Sequence, residues 1–113
     1  MGTTKLLVIW SSEDREVALK TAFMYTYNAK VNGWWDHIQL CVWGPSAKML
    51  LRDYVLKNEI MKIRDAGVEL TACKACTDQY GLTAALENLG IDVKYMGIPL
   101  TEMLKDGWAV LTY

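Results

Sequence analysis

The chain has 113 residues, about half of them hydrophobic, and a formal net charge of −1. This length suits one domain over residues 1–113 that buries about two-thirds of its unfolded surface. Lysine and arginine are spread along the sequence, so neither nucleic acid nor an anionic membrane is indicated as a direct partner. The composition predicts a small globular domain with other kinds of ligand or partner.

The beginning of the sequence carries only a short hydrophobic run, at residues 5–10, followed by serine and acidic residues. Such a run is too short for a signal peptide or a membrane-spanning helix. Three cysteines cannot all pair within the chain, and thiols outlast disulfides in a reducing compartment. We therefore expect a cytoplasmic protein, without a membrane anchor, in which at least one thiol is reactive.

Five segments rich in β-branched, aromatic and aliphatic residues alternate with helical patterns. The predicted strands cover residues 5–10, 37–43, 68–73, 92–96 and 108–113. Alternation of strands and helices requires crossover connections, so we predict an α/β fold: a three-layer α/β/α sandwich with a five-stranded parallel sheet, Rossmann-like or flavodoxin-like in architecture. Strand 1 is continuously apolar whereas strand 4 alternates, which places strand 4 at an edge and favours the order 4-3-2-1-5 over 2-1-3-4-5.

The predicted helices have recognisable starts and stops. Ser12 is the expected N-cap of the first helix, and Pro45 is placed to begin the second, which Asn58 divides and Gly67 ends. Thr83 is the expected N-cap of a helix that ends at Gly90. Further helices are predicted over 74–80, ended by Gly81, and over 100–107.

Ligands of open parallel sheets bind beyond the carboxyl ends of the strands. Cys73 ends strand 3 and is followed by Lys74 and Cys76. A helix N-terminus and an adjacent cation both favour thiolate over thiol, so Cys73 is the predicted reactive residue with Cys76 as its neighbour. The other strand ends add pocket candidates: Trp10, Ser11, Ser12, Trp43, Gly44, Met96 and Gly97. A purely structural role for the two cysteines, as small hydrophobic residues at a helix–sheet junction, is the alternative.

The other potential ligands argue against metal and cofactor sites. Cys41 lies mid-strand between Leu40 and Val42, where a core role is expected. A structural zinc site needs four ligands, and the only histidine, His37, begins strand 2 at the opposite edge from Cys73. The loop after strand 1 lacks the glycines that a phosphate site uses. We predict no metal and no cofactor.

Aromatic residues are numerous for so small a chain. Trp10 and Trp43 end neighbouring predicted strands and either wall a pocket near Cys73 or cap the core. Trp34 and Trp35 are adjacent in a loop, which indicates a subunit interface at least as strongly as a binding site. A homo-oligomer is therefore expected.

Several stretches resemble the DsrE/DsrF-like family of small sulfur-relay-like α/β proteins. These are "GVELTACKACTDQYGL", "LENLGIDVKYMGIPLTEML" and "DGWAVLTY", and the opening "KLLVIWSSEDREVALKTAF" and central "VWGPSAKMLL" fit as well. The resemblance implies a cysteine after strand 3 that carries sulfur as a persulfide, a role that falls on Cys73, and a CxxC form that includes Cys76. It also implies trimers, hexamers or mixed hexamers, and partner proteins that donate and accept sulfur.

The resemblance favours an intracellular sulfur-relay protein, a possible sulfurtransferase or sulfur carrier, that holds sulfane sulfur on Cys73. Two alternatives stay open: a CxxC dithiol redox protein and a noncatalytic oligomeric binding module. A reversible Cys73–Cys76 disulfide would favour the first alternative, and unreactive thiols the second.

Overall fold

The computed structural model describes residues 2–113, which form one five-stranded parallel sheet with helices on both faces. The strands are β1 (Lys5–Trp10), β2 (His37–Val42), β3 (Glu69–Cys73), β4 (Asp92–Lys94) and β5 (Ala109–Thr112). They lie in the order β4-β3-β2-β1-β5, with β4 and β5 at the edges. The predicted fold class and strand order are confirmed.

Within residues 2–113, seven α-helices and one π-helical segment connect the strands. The first connection contains α1 (Arg15–Val17), the π-helical segment (Ala18–Ala22) and α2 (Phe23–Val31); the later ones contain α3 (Ser46–Arg52), α4 (Tyr54–Asp65), α5 (Lys74–Tyr80), α6 (Thr83–Asn88) and α7 (Gly97–Lys105). Pro45 directly precedes α3, and Gly81 follows α5 in the left-handed conformation, as predicted. α7 begins three residues earlier than predicted, since Pro99 is accommodated in its first turn.

Besides the start of α7, three predicted helix boundaries are wrong, and short polar side chains explain each of the three. Asp14, not Ser12, caps α1 by accepting hydrogen bonds from two backbone N–H groups; the Ser12 hydroxyl instead accepts from the N–H of Asp14. Thr83 is the first residue of α6 and not its cap, because its hydroxyl bonds to Thr77 and Asp78.

The long second connection breaks at Asp53 and not at Asn58, which lies inside α4. Asp53 has extended backbone angles, and its carboxylate accepts from the N–H groups of Val55 and Leu56. The same carboxylate binds Arg15 at 2.7 Å, so the break also ties α4 to the first helix. Asp53 combines an N-cap and an ion pair in one side chain.

Alternate residues of each strand pack on opposite faces of the sheet, and the two faces differ. One face, here called the helix-rich face, presents Leu6, Val8 and Leu40 to a large hydrophobic core shared with α2, α3, α4 and α6. The other, here called the thiol face, presents Leu7 and Cys41 and is covered chiefly by α7 through Met103 and Leu100. The thiol face therefore has much the smaller core.

A polar chain crosses the thiol face where β2 and β3 pair. Thr71 donates a hydrogen bond to Gln39 Oε1 at 3.0 Å, and Gln39 Nε2 reaches Glu69 at 3.3 Å. Thr71 and Gln39 are buried, whereas Glu69 is exposed at the amino end of β3. Because each buried polar group has a partner, this chain is tolerated inside the protein.

Candidate functional site

The two predicted thiols are in contact at the carboxyl edge of the sheet. Cys73 ends β3 and is also the N-cap residue of α5, which places Cys76 in the first turn of that helix. The two sulfur atoms lie 3.3 Å apart, with the Cys76 thiol positioned to donate to Cys73 Sγ. Cys73 is only 5% exposed, whereas Cys76 is half-buried. A reagent from solution therefore meets Cys76 first and reaches Cys73 beside it.

The surroundings of Cys76 favour its protonated form. Desolvation raises the pKa of the Cys76 thiol, and its hydrogen bond and charge interaction with Cys73 add to this, while the backbone N–H of Gly44 acts in the opposite direction. A protonated Cys76 is a hydrogen-bond donor to the neighbouring sulfur. The pair is thus asymmetric: one thiol donates and the other accepts.

A third cysteine, Cys41, lies on the same face. It is fully buried and belongs to the same core cluster as Cys73, and burial raises the pKa of Cys41 to about 12. The nearby side chain of Thr71, its partner in register on β3, lowers the pKa of Cys41 in part. The core role predicted for Cys41 is confirmed, and its thiol stays protonated at neutral pH.

Two lysines lie near the thiol pair in the sequence or in the sheet. Lys74, the predicted activating cation, is held by Asp78 at 3.0 Å, and its ammonium also lies 5.3 Å from the centre of the Tyr95 ring. Asp78 raises the pKa of Lys74, which keeps the ammonium charged but partly neutralised by its partner. Lys94 is the register partner of Cys73 on β4, about one strand spacing away.

The sequence analysis missed Lys94 because a contact across neighbouring strands cannot be read from linear spacing. The alternating pattern of residues 92–96 could have identified this lysine. Once β4 is paired with β3, the strand register places Lys94 level with Cys73. Lys94 itself pairs with Asp92 at 3.3 Å.

The loop after β2 forms one wall of the site. Met96 belongs to the cluster that contains Cys73 and Trp43 packs against it, while Gly44, with φ of +75°, is near enough to Cys76 for its N–H to lower the pKa of that thiol. Gly97 begins α7 directly after Met96. These predicted pocket residues are therefore brought to the same edge as the thiols.

Three other predicted pocket residues, Trp10, Ser11 and Ser12, make contacts elsewhere. Trp10 is fully buried on the helix-rich face, where its ring meets Phe23 edge-on at 4.8 Å, so it does not wall the thiol site. Ser11 binds the carbonyl oxygen of Tyr113 through both its N–H and its hydroxyl, at 2.7 and 3.1 Å. Ser12 is committed to the turn before α1. Trp10 points away because a strand residue of that parity faces the larger core.

Hydrogen bonds join the loops at this edge. The Ser46 hydroxyl donates to the carbonyl oxygen of Trp10 at 2.5 Å, and the N–H of Trp43 donates to the same oxygen at 2.9 Å. The N–H of Ser46 donates to the Ser11 carbonyl oxygen at 3.1 Å. The loop that carries Gly44 is therefore fastened to the end of β1.

His37 begins β2 and is exposed at the amino edge of the sheet, opposite the edge that carries the thiols. A cavity of about 410 Å³ is also at the amino edge and is lined in part by His37. This cavity therefore lies away from the thiol pair. Within residues 2–113 there is no group of three or more histidine, cysteine or acidic side chains arranged for a metal ion.

The adjacent tryptophans of the first loop differ in exposure. Trp34 is 55% exposed and packs against Tyr25, whereas Trp35 is partly buried and its indole N–H donates to the Tyr25 hydroxyl at 3.1 Å. Only one of the two therefore offers a large apolar surface. No helix in the described part of the chain is both long and apolar enough to cross a membrane.

A parallel sheet in this order, with a cysteine pair at the end of its third strand, defines a class of small α/β proteins with a thiol site. The family model for the DsrE/DsrF-like family matches residues 5–113, and the chain belongs to that family. The predicted family membership is confirmed.

Solved structures support the same fold. A conserved protein of unknown function from Bacteroides thetaiotaomicron is 38% identical with a TM-score of 0.92, over 96% of this chain and 94% of that one. A protein of unknown function from Methanobacterium thermoautotrophicum has 18% identity and a TM-score of 0.80, over 97% and 99% of the two chains. The ychN protein from E. coli has 14% identity and a TM-score of 0.74, over 99% and 100%. We found no match among curated proteins.

Proposed function

We propose that this protein is a cytoplasmic sulfur carrier that accepts sulfane sulfur on Cys73 and passes it to an acceptor protein. The observation that carries the proposal is the contact between Cys73 and Cys76 at the carboxyl edge, in a member of the DsrE/DsrF-like family. Cys73 accepts a hydrogen bond from Cys76, and Lys94 is its register partner on β4.

Loading requires no external oxidant. The Cys73 thiolate attacks the outer sulfur of a persulfide or polysulfide donor, the bond between that sulfur and the donor breaks, and the donor leaves as a thiolate or shortened polysulfide. Cys73 then carries a persulfide. An acceptor thiolate completes the transfer by attacking the outer sulfur, and the electron pair of the broken bond returns to Cys73.

Cys76 has a secondary role in this proposal. Its thiolate attacks Cys73 Sγ of the persulfide, a Cys73–Cys76 disulfide forms, and the outer sulfur leaves as hydrosulfide. The raised pKa of Cys76 slows this step at neutral pH, because only the thiolate attacks. The cargo is therefore retained long enough to be handed over.

Intact mass measurement after treatment with polysulfide tests the proposal. Wild type should gain mass in units of one sulfur atom, Cys73→Ser should lose that gain, and Cys76→Ser should keep it for longer. Cys41→Ser is the matched control and should load like wild type. Loading that persists in Cys73→Ser would reverse the roles of the two thiols, and no loading in any of the four proteins would contradict the carrier function.

A dithiol redox protein is a second candidate, favoured by the 3.3 Å sulfur–sulfur distance. Closing to a disulfide needs a sulfur separation of about 2.05 Å, a small movement from the present one. Equilibration with glutathione buffers distinguishes the two: a Cys73–Cys76 couple that cycles at cytosolic potentials without gaining sulfur would favour redox function. Thiols inert in both experiments would favour a noncatalytic binding module.

We further propose that the protein forms a homo-oligomer, a trimer or hexamer. Besides Trp34, large apolar side chains are exposed in and next to α7, namely Tyr95, Ile98 and Leu104. They flank the thinly covered thiol face, where a second subunit would bury them and shield the thiol pair. Light scattering that shows only monomer at micromolar concentration would contradict this.

A further inference from the structure

The cavity at the amino edge of the sheet is separate from the thiol site, and side chains from several elements of the fold line it. Its volume of about 410 Å³ lies within the usual range for small-molecule sites. Lys5, His37 and Trp108 form a single row across three strands: Lys5 is the register partner of His37, and Trp108 directly precedes Ala109, the partner of Leu6. They precede the thiol-face residues by an even number of positions, so all three project from that face.

A fourth side chain, that of Lys30, comes from the end of α2. It passes close to Gly67, since a Cβ atom at residue 67 would lie 3.0 Å from the Cε atom of Lys30. Gly67 also has φ of +107°, a backbone conformation that other residues rarely adopt. The glycine thus provides both the turn before β3 and the space through which Lys30 reaches the cavity.

The lysines and the carboxylates around the cavity differ in whether they have a partner within the protein. Neither Lys5 nor Lys30 forms an ion pair within the part of the chain that the structure describes. The nearby carboxylates already have partners: Glu69 accepts from Gln39, and Asp36 accepts from the N–H and hydroxyl of Thr4. The lining therefore combines two ammonium groups without an ion-pair partner and an imidazole with a single carboxylate, that of Glu69, so positive groups outnumber negative ones.

Trp108 adds a flat apolar wall. The ammonium of Lys5 lies 5.7 Å from the centre of the Trp108 ring, so a cation and an aromatic face are available to one ligand. Trp108 itself is held against the thiol-face core, which fixes the ring orientation. A ring that is fixed before binding loses little freedom when a ligand stacks on it.

We propose that this cavity binds a small organic anion that carries a flat hydrophobic group, such as an aryl phosphate or an aryl carboxylate. The anionic group lies between Lys5, Lys30 and His37, and the ring lies on Trp108. The proposal is independent of the proposed sulfur chemistry, because the cavity lies at the amino edge of the sheet and the thiol pair at the carboxyl edge.

Amide chemical shifts recorded while phenyl phosphate is added test the site. The expected shifts are largest at residues 5, 30, 37, 67 and 108, and they saturate at millimolar concentration or below. Benzoate, inorganic phosphate and phenol form the comparison arms: benzoate distinguishes a carboxylate site from a phosphate site, inorganic phosphate should bind more weakly, and phenol weakest. Saturation by benzoate alone would assign a carboxylate ligand, and saturation by phenyl phosphate alone a phosphate.

Variants separate charge from stacking. Lys5→Ala and Lys30→Ala should each weaken phenyl phosphate binding about tenfold, whereas the control Lys57→Ala, on α4, should not. Trp108→Phe should weaken phenyl phosphate but leave inorganic phosphate unchanged, and it retains an aromatic ring for the core. An unsaturable response, shifts elsewhere in the protein, or equal effects of all three lysine variants would overturn the proposal.

Discussion

The helix-rich face and the thiol face are built from the same strands, yet they carry different kinds of residue. Leu40 and Val42 point into the large aliphatic core, and Cys41 between them points to the other side. The first face is covered by several helices and the second chiefly by α7. Strand alternation therefore lets one stretch of six residues contribute to both cores, the large one and the small one that also contains Cys73.

The two cores differ in size, and we expect truncation of Leu40, inside the large core, to cost more than truncation of Val110, at the margin of the small one. Leu40→Ala should lower the free energy of unfolding by about 2–5 kcal/mol, since Leu40 is fully buried and its loss leaves a cavity. Val110→Ala, half-buried on the thiol face, should cost about 1 kcal/mol or less. Urea unfolding measures both, and equal losses would break the comparison between the faces.

The dependence of stability on alkaline pH tests the thiol face separately, through the buried thiol of Cys41. Folding raises the pKa of Cys41 from 9.0 to about 12, so its stabilising effect is complete below about pH 9 and is lost as pH rises towards 12. Between pH 8 and 10 wild type should lose about 1.4 kcal/mol more than Cys41→Ala does. Parallel urea titrations at the two pH values give this difference, and identical pH dependence would mean that Cys41 ionises freely in the folded protein.

Removal of the N-cap of α4 should have a smaller effect on stability, on the helix-rich face. Asp53→Ala removes the cap of α4 and the partner of Arg15, and should lower the thermal midpoint by about 4–8 °C. Asn58→Ala, within the same helix, should leave it nearly unchanged. Because Arg15 and two N–H groups lower the pKa of Asp53, its contribution is present at neutral pH and declines as pH falls through that lowered pKa. A larger effect of Asn58→Ala would contradict this account of the break.

The smallest expected effect concerns His37. Because it lies at the opposite edge from Cys73, His37→Ala should not change the rate at which the thiol pair is alkylated. The same variant should weaken binding of phenyl phosphate at the amino edge. A large loss of thiol reactivity would mean that a neighbouring subunit brings His37 to the thiol pair.

The strand order was predictable because it depends on which strands are continuously apolar, and residues 5–10 and 92–96 differ clearly in that respect. The thiol pair was predictable because residues 68–73 end at a cysteine followed by a glycine-terminated helical segment. The residues that surround the thiol pair could not be predicted equally well from the sequence. Lys94 becomes level with Cys73 only through strand pairing, and the side to which Trp10 points depends on which face has the larger core.

Helix boundaries failed for a different reason. Several side chains near each boundary can cap a helix, and the sequence does not show which of them is committed elsewhere. Asp14 outcompetes Ser12, and Thr83 is occupied by Thr77 and Asp78. The competition is decided by tertiary contacts such as the one between Asp53 and Arg15.

The hydrogen bonds of Ser46 have a consequence for the timing of the chemistry. Because that buried side chain fastens the loop after β2 to the end of β1, the wall that carries Gly44 is ordered before a donor of the proposed sulfur transfer arrives. The entropy of ordering this wall is lost during folding and not at each encounter. The amide of Ser46 should accordingly exchange with deuterium as slowly as the central strands do, and an incoming donor meets a rigid surface on the Gly44 side.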